Sequence, residues 1–145
     1  MPDDIDEILQ VFTRLEKACK ELGSTKIVVG IVGSADSEVL KIAHTHEYGD
    51  GKMPERSFIC ASFDQDGVKL EKIVSAQINK VLDGQTTAKG AANAIGAQAA
   101  QLVQNFIDDN RVKPPSNFSR KTQYTTLYET GTHIRDRIAY KLEDA

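Results

Sequence analysis

The feature that most constrains this chain is a long apolar stripe between residues 86 and 109. Ala88, Ala91, Ala92, Ile95, Ala99, Leu102, Val103, Phe106 and Ile107 recur at spacings of three and four. That period gathers side chains on one face of an α-helix. The early part of the stripe is alanine and glycine, Gly96 included, so another backbone can pack close to it, whereas the later part carries the large side chains. A helix of this length with one such stripe is expected to be the main core helix, with the shorter elements laid around it. An earlier helical pattern over about 66 to 82 (Leu70, Ile73, Val74, Ile78, Val81, Leu82) is broken from it by Asp83-Gly84.

The remaining segments read as follows. Ile5, Ile8, Leu9, Phe12, Leu15, Cys19 and Leu22 share one helical face over residues 4 to 22. Asp3 or Asp4 is expected to cap that helix, and Gly23 to end it in the left-handed conformation. Lys26 to Val32 is β-branched and apolar, the pattern of a strand buried on both faces, or on one face with an oligomer contact on the other. Asp36 or Ser37 then opens a short helix whose inner side would hold Val39, Leu40, Ile42, Ala43 and His46, ending at Gly49-Asp50-Gly51. Pro54 begins an irregular segment, and Phe58, Ile59 and Phe63 return the chain to the core. Arg111 to Lys121 is basic and contains Pro114-Pro115, which reads as an extended, exposed arm. Ile138, Tyr140 and Leu142 alternate with Ala139, Lys141 and Glu143, the period of a strand with one buried face. The expected class is α+β: a single domain over residues 1–145, with a small, partly antiparallel sheet packed by amphipathic helices and an extended basic, proline-containing arm over 111–132.

Composition narrows the function classes. A chain of 145 residues that is 40% hydrophobic and 27% charged is expected to be globular. A net charge of −3 gives no basic field of the kind nucleic-acid binders use to release counterions. No run reaches the length of a membrane span. The opening Met-Pro-Asp-Asp is acidic where a secretion signal is basic, so the chain is expected to stay in the cytoplasm that makes it. Cys19 and Cys60 are isolated, lack metal-type spacing and lie next to apolar positions, as thiols acting as small hydrophobes do.

The densest chemistry is Ile42-Ala43-His44-Thr45-His46-Glu47-Tyr48-Gly49, followed by Met53-Pro54-Glu55-Arg56-Ser57-Phe58. Two histidines and a glutamate suggest a metal. On a helix, however, His44 and His46 point about 200° apart and cannot share one ion, and the His-Glu-x-x-His spacing of helical zinc sites is missing. On a strand they would share a face and, with His133, could supply three ligands to a metal-dependent hydrolase. The packing alternative puts His46 on the inner face of a helix and leaves His44 exposed. Gly30 and Gly33 lack a nucleotide fingerprint, and Ser34, Ser37, Ser57 and Cys60 lack the context of an activated nucleophile. Pro54 to Phe58 reads either as a surface loop anchored by Phe58 or as an arm on a neighbouring subunit, with Arg56 forking onto a carboxylate.

Ile42-Ala43-x-x-His46-Glu47-Tyr48-Gly49 with Pro54-x-Arg56-Ser57-Phe58 resembles the "I-A-x-x-H-E-[FY]-G … I-P-x-R-P-F" signature of phage virion-morphogenesis proteins, the tail-completion and minor tail proteins of lambda-like and Mu-like phages and prophages. Pro114-Pro115-Ser116-x-x-Ser119-x-x-Thr122 is similar to their "P-P-L-S-x-x-T" stretch. Leu127-Tyr128-Glu129-Thr130-Gly131 with Ile138-Ala139-Tyr140 is similar to "P-L-[IV]-D-T-G-x-L-x-x-S-I-x-[YF]". The anchors run in order from about residue 27 to 143. The chain departs from the pattern at Ser57 and Thr126, where prolines are usual, at Glu129 for aspartate, and at His133 for leucine. The resemblance implies a structural, non-enzymatic virion protein without cofactor. It would act in tail completion and head–tail joining at the head-proximal end of the tail. Its partners would be its own copies, in a ring of about six subunits, and tail or neck proteins such as a terminator or tube protein. The interface residues this implies are Glu47, Tyr48, Gly49, Pro54, Arg56, Phe58, Arg111, Lys113, Pro114, Pro115, Ser119, Thr122, Thr130 and Gly131. A small cytoplasmic adaptor without a viral role is the remaining alternative.

Overall fold

Everything is laid around one helix. The computed structural model describes residues 2–31, 37–48, 57–109 and 134–145, with the backbone alone at 2, 3, 37–39, 42, 45 and 46. Among them the order is α1 (Pro2–Gly23), β1 (Thr25–Ile31), α2 (Ser37–Tyr48), α3 (Ile59–Gln65), α4 (Gly67–Leu82), α5 (Ala88–Asp108), a 3-10 turn (Ile134–Arg137) and β2 (Ile138–Asp144). The α+β class follows directly: helices packed on a two-stranded antiparallel sheet.

α5 is the expected core helix. Thr87 caps it, its hydroxyl accepting from the Gly90 amide at 3.0 Å. The whole predicted stripe is buried, together with Gly96 and Ala100. Its C-terminal half builds the centre of the core with Phe58, Ala43, Ile134 and Ile138 around Val103, Phe106 and Ile107. Its small-residue half receives an aromatic ring. A Cβ at residue 96 would stand under 3 Å from three atoms of the Tyr140 ring, so only glycine leaves room for it. The Tyr140 hydroxyl donates to Asn93 Oδ1 at 3.1 Å on the same helix.

β1 and β2 pair antiparallel from Thr25↔Asp144 to Ile31↔Ile138. Paired residues share a face, so Ile27, Val29 and Ile31 stand with Leu142, Tyr140 and Ile138 toward α5. The opposite face carries Lys26, Lys141 and Glu143, and Lys141 Nζ meets Glu143 at 2.7 Å. Among the described residues the expectation that β1 is buried on both faces is met only in part: on the face away from α5, Gly30 is buried beside the Ile59 side chain of α3 and Val28 is half-buried, while Lys26 and Lys141 are exposed. A two-stranded ribbon is marginal by itself, and its packing on α5 sustains it.

Several local expectations change. α3 was expected to be irregular chain, and α1 begins at Pro2, so Asp3 and Asp4 lie inside its first turn rather than capping it. Gly23 takes no left-handed conformation. The end of α1 is closed instead by the Ser24 and Thr25 hydroxyls, both donating to the Glu21 carbonyl, at 3.1 and 2.7 Å. Gly84, at φ +78°, is the glycine that turns the chain between α4 and α5. The apolar face of α1 is buried only in part: Leu15, Ala18 and Leu22 are half-covered by the domain, while Ile5, Ile8, Leu9 and Phe12 stand in solvent. Leu40 is also exposed, and both cysteines lie outside any disulfide at exposed positions rather than acting as buried hydrophobes.

Candidate functional site

The residues that carry the sequence signature meet where the end of α2 touches the start of α3. A helix leaves its first amides without partners, and α3 has no side-chain cap of its own at Phe58. Glu47, one turn of α2 below Ala43, supplies the missing acceptor. Its Oε2 accepts from the Phe58 and Ile59 amides, both at 2.9 Å, and its Oε1 from the Cys60 amide at 2.9 Å and the Ser57 hydroxyl at 2.8 Å. Ser57 Oγ in turn accepts from the Ala61 amide at 3.0 Å. A carboxylate at a helix N-terminus also faces the positive end of the helix dipole.

The electrostatics follow from this bonding. Burial alone would push the Glu47 carboxyl up, since Glu47 is only 6% exposed. The amides of Ile59, Cys60 and Phe58 and the Ser57 hydroxyl outweigh burial and hold it below its ordinary value. Glu47 is ionised, fixed and fully engaged in the fold.

Around this corner an apolar groove is lined by Ile31, Leu40, Ala43, Phe58 and Ile59, with His44 and Tyr48 at its rim. The His44 and Tyr48 rings lie 4.9 Å apart at 51°, one turn apart on α2, and Tyr48 is 62% exposed. His44 is exposed, as the packing alternative has it.

The structure sorts the expected interface residues into three groups. Glu47 and Phe58 are turned inward: Phe58 is wholly buried in the core under α5, as the reading of it as the anchor of a surface loop has it, and the Glu47 carboxylate is engaged by the start of α3. Tyr48 is outward. Gly49, Pro54, Arg56, Arg111, Lys113, Pro114, Pro115, Ser119, Thr122, Thr130 and Gly131 lie outside the described residues, as do Val32, Gly33, Ser34, Asp36, the Gly49-Asp50-Gly51 turn and the 111–132 arm. His44 and His46 both belong to α2, so the strand that would set them on one face is not formed; His133 lies outside the described residues. No group of three metal-binding side chains is found among the described residues, and no helix among them is long and apolar enough to cross a membrane.

Sequence reasoning missed α3 and the role of Glu47 as its cap. The available signal was the pairing of Glu47 with Ser57-Phe58 within one motif, but the helix it starts is seven residues long and too short to show a period. In the comparisons with known proteins, no family model, no curated protein and no solved structure matches the chain.

Proposed function

We propose that the protein is a structural component of a phage or prophage tail, acting in tail completion and head–tail joining through contacts between subunits at the head-proximal end. In this reading it works in the virion and is made and assembled in the bacterial cytoplasm. The resemblance of its ordered motifs supplies the family, and one observation carries the mechanism. Glu47, the motif residue best suited to acid–base or metal chemistry, spends its carboxylate on four hydrogen bonds that tie residue 47 to residues 57–60. The described residues on either side of 49–56 are thereby fastened to each other at the core, as suits a contact site that a neighbouring subunit must meet on a firm base. The exposed Tyr48 ring and the apolar groove beside it offer the contact surface, with Tyr and Arg the residue types that most often anchor such surfaces.

The test is complementation of a gene deletion in the parent phage or prophage, read by electron microscopy of induced lysates. Wild-type protein should restore joined particles. Arg56→Ala and Tyr48→Ala should fold normally yet leave full heads beside free tails. A deletion that still yields complete particles would overturn the assignment. Normal joining by both variants would remove this loop from the interface.

A further inference from the structure

The first three turns of α1 bury nothing, yet they are built like an interface. Ile5, Ile8, Leu9 and Phe12 are 64, 54, 58 and 66% exposed. Along the helix Ile5, Ile8, Phe12, Leu15, Cys19 and Leu22 alternate spacings of three and four without a slip. That 3.5-residue period is the seam of a helix that packs against another helix. Among the described residues the seam is half-covered at Leu15 and Leu22; α1 packs against α5 and α4, and Arg14 Nη2 donates to the Leu82 carbonyl at 3.0 Å. Every side chain described from Asp4 to Arg14 is exposed.

We infer that this half of α1 pairs antiparallel with the same segment of a second copy of this chain, placing Phe12 of each helix over Ile8 of the other. Charge selects both partner and direction. Asp4 and Glu7 border the apolar groove formed with Ile8, Val11 and Phe12, and Arg14 follows two turns beyond Glu7 on the same side of the helix. Antiparallel pairing brings Asp4 and Glu7 of each copy to Arg14 of the other, whose guanidinium has further N–H groups besides the one given to Leu82. Parallel pairing instead sets two acidic first turns, each with Asp3, Asp4, Asp6 and Glu7, side by side. It also crowds the two domain bodies together, whereas the antiparallel pair holds them at opposite ends. The contact is two-fold and self-complementary, and it is separate from the Tyr48 loop, so it does not rest on the tail reading.

The full-length chain is tested by sedimentation equilibrium from about 1 to 300 µM, a range set by the small size of the contact. The expected result is a monomer–dimer equilibrium. Ile8→Glu and Phe12→Glu should each weaken it at least about tenfold, as loss of a central anchor does, with circular dichroism and melting unchanged. Asp4→Lys with Glu7→Lys, both at exposed positions, should weaken it as well, and added salt should lessen the difference from wild type. Direction is read from Cys19 in a Cys60→Ser background. Antiparallel helices keep the two Cys19 thiols about 27 Å apart at 1.5 Å per residue, so copper–phenanthroline oxidation should give no disulfide-linked dimer. A monomer at every concentration, a dimer indifferent to the Ile8 and Phe12 substitutions, or efficient Cys19–Cys19 cross-linking would each overturn the inference.

Discussion

Asp108 accepts a forked pair of hydrogen bonds from Arg135, Nε to Oδ1 at 3.0 Å and Nη2 to Oδ2 at 2.9 Å. The pair joins the last residue of α5 to the 3-10 turn that leads into β2. The Asp108 hydrogen bond, ahead of a small opposing cost of burial and a weaker contact to Asp136, raises the Arg135 pKa further above the range where it could lose its proton. Gln104 reinforces the junction, its amide donating to the Arg135 and Ile138 carbonyls, each at 3.3 Å. Both partners of the ion pair are about one-third exposed, so solvent screens part of its strength. Arg135→Ala should lower stability by about 1 kcal/mol, read as a fall in the urea midpoint with an unchanged slope.

Tyr140 and Gly96 form a second fixed junction, of sheet on helix. Gly96→Ala should cost about 1–3 kcal/mol, because a methyl group there collides with a ring that cannot move without losing its bond to Asn93. Replacing the ring as well, in Gly96→Ala with Tyr140→Leu, should cost less than the two single changes added together. A double-mutant cycle by chemical denaturation measures the coupling, and additivity would refute the steric account.

Glu47→Ala strands three amides and a hydroxyl at the start of α3. The expected loss is about 2–4 kcal/mol, from the desolvation of several unsatisfied donors. Hydrogen exchange should speed up first at residues 58–61. If those amides exchange no faster than in wild type, the carboxylate is not their cap.

Acid should find the same residue. The folded-state pKa of Glu47 is depressed, so the unfolded chain takes up this proton at a higher pH than the folded one. Its contribution to stability is therefore fully present above the ordinary glutamate value of about 4.3 and is lost as pH falls through the folded value. Denaturation midpoints measured between about pH 7 and pH 3 should fall in the acid limb. Glu47→Gln should flatten that limb, and an unchanged acid limb in the variant would count against the assignment.

Thr87→Ala removes the one side-chain cap of α5, an exposed bond to Gly90. Its cost should be about 1 kcal/mol in a thermal melt.

The sequence by itself determined the long helix, the helix before it, the strand at the end and the α+β class. Each of these depends on a period that neighbouring residues impose: three to four for α5 and α4, two for β2. It also marked the stretch around Glu47 as the place where the chain's chemistry concentrates. Only the tertiary structure decided what that chemistry is used for. Phe58 reads as a return of the chain to the core and is found there, but Glu47 reads only as one residue of a motif; its carboxylate turns inward because α3 starts within reach of it and has no cap of its own. No local spacing records that a residue ten positions away will supply a helix with its acceptor. The same limit explains α1, where an apolar face predicts a buried helix whether the covering surface belongs to this chain or to another. Periodicity reports that a face must be covered; only the placement of the other described elements reveals that, over Ile5 to Phe12, they leave it open.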